Sequence, residues 1–209
     1  MGLTPATTLV AARRIGVFGG AFDPPHAGHL ALAQTAVADL QLDVLHIVPT
    51  GQAWHKSRPL NSARHRLAMA RLAFFDLPRV VVDEREIRRA GPSYTVDTLR
   101  EFKALWPQAE LFLLIGEDQA DALPGWHAWQ EVLQLAIICV AARADSTGSR
   151  ARIALESEYK SRFRRLPMPV MPISATEIRS RIAAHQCVVP LVLEPVARYI
   201  EDHHLYQTN

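Results

Sequence analysis

The chain has 209 residues, of which 49% are apolar and 21% charged, and a formal net charge of +2. This is the composition of a globular protein with ample material for a core. It excludes a generally basic nucleic-acid binder. Two cysteines exclude a disulfide framework, and no run reaches the roughly 18 uninterrupted apolar residues of a membrane span.

Residues 1–12 mix small, polar and apolar side chains around Pro5 without a charge. They read as a flexible leader rather than a signal peptide, which leaves 13–209 as one expected domain. The first strand is expected over 15–18 and ends in Gly19 and Gly20. After Ala21, Phe22 and Asp23 a helix is expected over 28–40, with His26 and His29 on one face of its first turn. A strand, a glycine turn and a helix start together favour an anion, because free N–H groups and the helix dipole point the same way. A turn without a ligand would use the same glycines, but the two histidines add movable protons at its mouth. Asp23, before Pro24, is expected to cap the helix.

A second strand is expected over 44–48. The loop 51–61 follows, with Trp54, His55, Lys56 and Pro59, and is long enough to move. Then come a helix over 62–74, a strand over 80–82, a helix over 95–106 and a strand over 111–115 that runs into Gly116, Glu117 and Asp118. A helix is expected over 126–135 and a strand over 137–140, holding Cys139 as a small buried apolar group and ending near Arg143. A helix over 151–159 precedes a basic, proline-spaced connector over 162–172. Ser174 and Glu177 form a capping box that opens a helix over 175–184, and a last helix covers 195–201. Continuous apolar strands alternating with helices predict an α/β fold. The expected form is a Rossmann-like doubly wound parallel sheet of about five to six strands with a small C-terminal helical portion. The carboxyl ends of its strands would converge on one crevice. No repeat or low-complexity tract interrupts the pattern.

Gly20, Phe22, Asp23, His26, Gly28 and His29 match Gly-x-Phe-Asp-x-x-His-x-Gly-His, the signature of the adenylyl- and cytidylyltransferase superfamily. Ile173-Ser174-Ala175-Thr176-Glu177-Ile178-Arg179 matches the superfamily's closing motif, Ile-Ser-x-Thr-x-Ile-Arg. With His55-Lys56, Pro92-Ser93-Tyr94-Thr95, Ile115-Gly116-Glu117-Asp118 and Trp126, the chain resembles the bacterial nicotinate-nucleotide adenylyltransferases from about Arg14 to Tyr206. One departure stands out: Ala53-Trp54-His55 replaces the more usual Pro-Pro-His.

The resemblance implies ATP and nicotinate mononucleotide as substrates, with Mg²⁺ carried on the ATP phosphates and no metal ligands from the protein. His26, His29, Lys56 and Arg179 would be catalytic. ATP would meet Gly19, Gly20, Ala21, Phe22, His26, His29, Gly116, Asp118, Arg143, Ser174, Ala175, Thr176 and Arg179. The mononucleotide would meet Lys56, Tyr94, Thr95, Asp118 and Trp126, with Arg181 a solvated neighbour and Trp129 outside the matched position. A cytoplasmic enzyme is expected, with no membrane or nucleic-acid partner. A sister transferase acting on nicotinamide mononucleotide or phosphopantetheine, and a non-catalytic nucleotide-binding protein, remain open. A dinucleotide-binding oxidoreductase is disfavoured because Gly16-Val17-Phe18-Gly19-Gly20 lacks Gly-x-Gly-x-x-Gly.

Overall fold

The computed structural model describes residues 14–51, 60–143, 149–168, 171 and 173–207. The expected leader and Trp54, His55 and Lys56 lie outside the described residues, as does the side chain of Arg143. Among the described residues, six strands make one sheet: β1 (Arg14–Gly20), β2 (Val44–Pro49), β3 (Val80–Val82), β4 (Glu110–Gly116), β5 (Ala136–Arg143) and β6 (Phe163–Met168). Their order is β3-β2-β1-β4-β5-β6, and every neighbouring pair is parallel. The chain leaves β1 to one side through β2 and to the other through β4. The order therefore reverses at β1, and the carboxyl ends of β1 and β4 open a crevice there.

The strands are apolar throughout because both faces are covered, yet side chains still alternate between the faces. Ile15 and Val17 of β1, with Leu111, Leu113 and Ile115 of β4, join one buried cluster. It is closed by Val96, Leu99 and Phe102 of α4 (Thr95–Leu105) and by Val132 and Leu133 of α6 (Trp129–Leu135). Phe18, Phe112 and Leu114 point the other way, into a second cluster with α1 (Ala27–Asp39), α2 (Ala63–Phe74), α8 (Ala175–Ala183) and α9 (Glu194–Asp202). The remaining helices are α3 (Arg85–Arg88), α5 (Glu117–Ala122) and α7 (Arg150–Glu158).

Two expectations are corrected. The connector expected over 162–172 contains β6, which pairs with β5 from Ile138 beside Phe163 to Arg143 beside Met168. It is an edge strand in which only Leu166 is buried. An edge strand tolerates exposed arginines and a proline, so it lacks the apolar run of a central strand. The helix expected from Trp126 begins three residues later. Leu123–Gly125 forms a 3-10 turn, and Ala128, at φ 50°, reverses the backbone before α6. Cys139 is buried, as expected, and burial pushes its thiol up to about 12. No helix among the described residues is long and apolar enough to cross a membrane.

Candidate active site

The turn after β1 is built around one buried ring. A Cβ on Gly19 would meet nothing within 4 Å, so this glycine leaves an open face toward the crevice. A Cβ on Gly20 would instead lie 3.1 Å from the Phe22 ring, so its smallness serves the protein itself. Phe22 adopts φ 48°, a conformation bulky residues rarely take. Its ring is 2% exposed and stands edge-on to Phe18 at 5.4 Å, Phe74 at 5.8 Å and His29 at 5.1 Å. Burying a phenyl group contributes about 2–3 kcal/mol, enough to offset the roughly 1–2 kcal/mol of left-handed backbone.

His26 is the N-cap of α1, and its backbone N–H donates to Nδ1 of His29 at 3.1 Å. The two rings stack with centroids 3.7 Å apart. A Cβ on Gly28 would come within 3.1 Å of the His26 ring, so this glycine makes room for the stack. Because Nδ1 of His29 accepts, the proton of a neutral His29 sits on Nε2, where it is a donor. Nδ1 of His26 is buried and finds no partner among the described residues. Burial lowers the pKa of His26 to about 4. Burial first, and the neighbouring His26 second, pushes His29 well below the ordinary imidazole value. Both rings are therefore neutral at pH 7. Negative charge placed against the rings would raise both pKa values.

This arrangement makes the fold acid-sensitive. Between the ordinary imidazole value of 6.5 and about 4, the unfolded chain binds a proton at position 26 that the folded chain does not. Stability is therefore complete above pH 6.5 and falls with acidification through that window, by at most about 3 kcal/mol for His26. His26→Asn keeps an N-cap side chain and should flatten the pH dependence in urea melts between pH 4 and 7. An unchanged slope would show that His26 is not the group responsible.

The second motif opens α8. Ser174 caps it, its Oγ accepting from the N–H of Glu177 at 3.1 Å; this is half of the expected capping box, since the Glu177 carboxylate accepts from Arg181. Ser174 and Thr176 are exposed. Arg179, one turn on, donates through Nη2 to Thr176 Oγ1 at 3.0 Å and through Nη1 to the main-chain carbonyl of Asp23 at 3.0 Å. That last bond joins the two motifs across 156 positions of sequence. Arg181 is half-buried and pairs with Glu177.

The expected capping role of Asp23 is corrected. Its buried carboxylate turns inward, accepting from Asn61 Nδ2 at 2.9 Å and from the Tyr206 hydroxyl at 2.6 Å. The N-cap position of α1 is His26, three residues further on.

Gly116 is the N-cap of α5, and Asp118 is exposed in its first turn. Tyr94 is the N-cap of α4, and Thr95 is the first residue of that helix. The Tyr94 ring lies 4.5 Å from that of His127, beside the half-buried Trp126. Arg143 ends β5, with its backbone beside Met168.

Sequence reasoning missed Arg66, which is 2% exposed inside α2. Its guanidinium donates to the carbonyls of Ala21 and Asn61 at 3.0 Å, Thr50 at 2.6 Å and Gly51 at 3.2 Å. It also missed Glu86, buried against the Thr98 hydroxyl at 2.7 Å, where burial raises its pKa and that bond lowers it. Nothing local in the sequence marks either one, since each is defined by partners on other elements.

Comparisons with known proteins agree with this geometry. The cytidylyltransferase-like family model matches residues 17–181, which include both motifs. A protein of Albidiferax ferrireducens named "Probable nicotinate-nucleotide adenylyltransferase" is 69% identical over 94% of this chain and 99% of its own. One of the same name from Methylibium petroleiphilum is 47% identical over 93% and 92%. A solved structure of Plasmodium falciparum nicotinic acid mononucleotide adenylyltransferase complexed with NaAD superposes with a TM-score of 0.75. It is 16% identical and covers 94% of this chain and 98% of that one, so it shares the fold. The chain belongs to the cytidylyltransferase-like family and, within it, to the nicotinate-nucleotide adenylyltransferases.

Proposed function

We propose that the chain transfers the adenylyl group of ATP to nicotinate mononucleotide, releasing pyrophosphate and forming nicotinate adenine dinucleotide for NAD biosynthesis. A 5′-phosphate oxygen of the mononucleotide attacks the α-phosphorus in line. The bond to the β-phosphate oxygen breaks, and no enzyme intermediate forms. The attacking group is already an anion, so the protein's work is alignment and charge stabilisation. Mg²⁺ enters on the phosphate oxygens as part of the ATP substrate.

One observation carries the reading. The stacked His26 and His29 stand where the sheet order reverses, and Arg179 ties the second phosphate motif to the same turn. In this reading His29 Nε2 and His26 donate to the α-phosphoryl oxygens as charge builds. The start of α8, with Ser174, Ala175, Thr176 and Arg179, takes the outer phosphates, and Lys56 adds positive charge. Gly19, Gly20, Ala21 and Phe22 bring the backbone close to ATP, while Gly116, Asp118 and Arg143 hold its nucleoside. The pyridine ring stacks near Tyr94 and Trp126, and its carboxylate meets the N–H groups at Thr95. Asp118 also serves the mononucleotide ribose. The reaction is assigned to the cytoplasm because Cys139 and Cys187 are free thiols.

The test is pyrophosphate release from ATP and Mg²⁺ with nicotinate or nicotinamide mononucleotide. Release with the acid and little with the amide is expected. Equal release would keep the transferase and remove the carboxylate site at Thr95. Release with neither would overturn the reaction.

A further inference from the structure

The family model ends at residue 181, yet the last part of the chain returns to the first motif at two points. The carbonyl of Leu191 accepts the N–H of Ala27 at 2.9 Å. The hydroxyl of Tyr206 donates to Oδ1 of Asp23 at 2.6 Å. His26 lies between those two anchored residues, so the segment that carries it is held on both sides by the carboxyl-terminal part of the chain. The grip is built into the core: Val192, Val196, Ile200 and Leu205 are buried in the same cluster as Phe22.

Asp23 is the point where these restraints meet. Its carboxylate takes Tyr206 and Asn61, and its main-chain carbonyl takes Arg179. A shift of Asp23 therefore moves His26, three residues on, and releases Arg179 at the same time. We propose that Tyr206 is a positioning residue for adenylyl transfer, acting through Asp23 to hold His26 and Arg179 in one arrangement. The proposal rests on the reaction assigned above. Burial first, then the Asp23 carboxylate, pushes the Tyr206 phenol above its ordinary value. It is therefore a donor at pH 7.

The experiment compares Tyr206→Phe with Tyr199→Phe in the full chain. Tyr199 belongs to the same carboxyl-terminal region, but its hydroxyl meets His65 of α2 at 3.0 Å. Tyr206→Phe removes one hydroxyl and keeps the ring in its packing. Its kcat/KM for ATP should fall about tenfold, since small misplacements of reacting groups carry large rate costs. KM for nicotinate mononucleotide should hold, and Tyr199→Phe should behave as wild type. Unchanged kinetics in Tyr206→Phe would overturn the proposal. So would an equal loss in Tyr199→Phe, because general loosening of α9 would then explain the effect. If the wild-type chain releases no pyrophosphate, the reaction assignment fails and this role fails with it. A normal wild type beside an unaffected Tyr206→Phe overturns this role alone.

Discussion

Replacing His29 with alanine is expected to lower kcat for pyrophosphate release by about 10²–10³-fold and to change KM for ATP little. The reason lies in how the sequence places the ring. His29 follows His26 at the third position, so the first turn of α1 stacks one ring on the other at 3.7 Å. The N–H of His26 occupies Nδ1 of His29 and leaves Nε2 to donate. A neutral donor binds the ground-state phosphate weakly. It gains as charge builds on the non-bridging oxygens in the transition state, so its loss falls on kcat. The low pKa of both rings strengthens this expectation. Two imidazolium charges stacked so closely would repel each other, whereas two neutral rings can be preorganised without cost. His29 also packs on Phe22 at 5.1 Å and Phe18 at 5.9 Å, so alanine should cost about 1 kcal/mol of stability. A thermal melt would separate that small loss from the catalytic one. A folded variant that turns over near the wild-type rate would remove His29 from the chemistry.

The strands and the site's first turn were legible in the sequence for a common reason. Runs such as Leu111–Ile115 are apolar because both sheet faces are covered, and the motif histidines are close in sequence as well as in space. What escaped was whatever depends on distant partners. β6 reads as polar because an edge strand needs only Leu166 inside. Asp23 reads as a cap because a carboxylate before a proline and a helix commonly is one. Its real partners, Asn61 and Tyr206, lie 38 and 183 positions away. The early start expected for α6 has a local cause: Trp126 and Trp129 suggest helical spacing, but the backbone reversal at Ala128 separates them.

Arg66 shows how much of the site's rigidity can hide in a residue that sequence patterning passes over. In α2 it looks like one of several solvated arginines, yet it is fully enclosed and its planar fork reaches four carbonyls. Those carbonyls belong to Ala21 in the turn after β1, to Thr50 and Gly51 at the end of β2, and to Asn61 just before α2. One side chain therefore holds together the three segments that frame the crevice. Burial lowers its pKa, while Asp23, Tyr206 and Glu86 oppose that shift. Arg66→Met would fill the volume but leave the carbonyls without their donor and remove a positive charge that Asp23 and Glu86 favour. Breaking such a set from one side costs about 3–5 kcal/mol. In a chain of this size that is a drop of about 10 °C in Tm. Arg66→Lys should recover little, because an ammonium donates from one point and cannot span carbonyls set around a guanidinium. Urea unfolding of both variants measures the loss. The fraction that stays folded should also turn over more slowly, since Ala21 borders the histidine turn. If Arg66→Met unfolds within about 1 kcal/mol of wild type, each carbonyl must find water at little cost, since an unmet buried acceptor is otherwise expensive. The crevice would then owe its shape to the sheet alone.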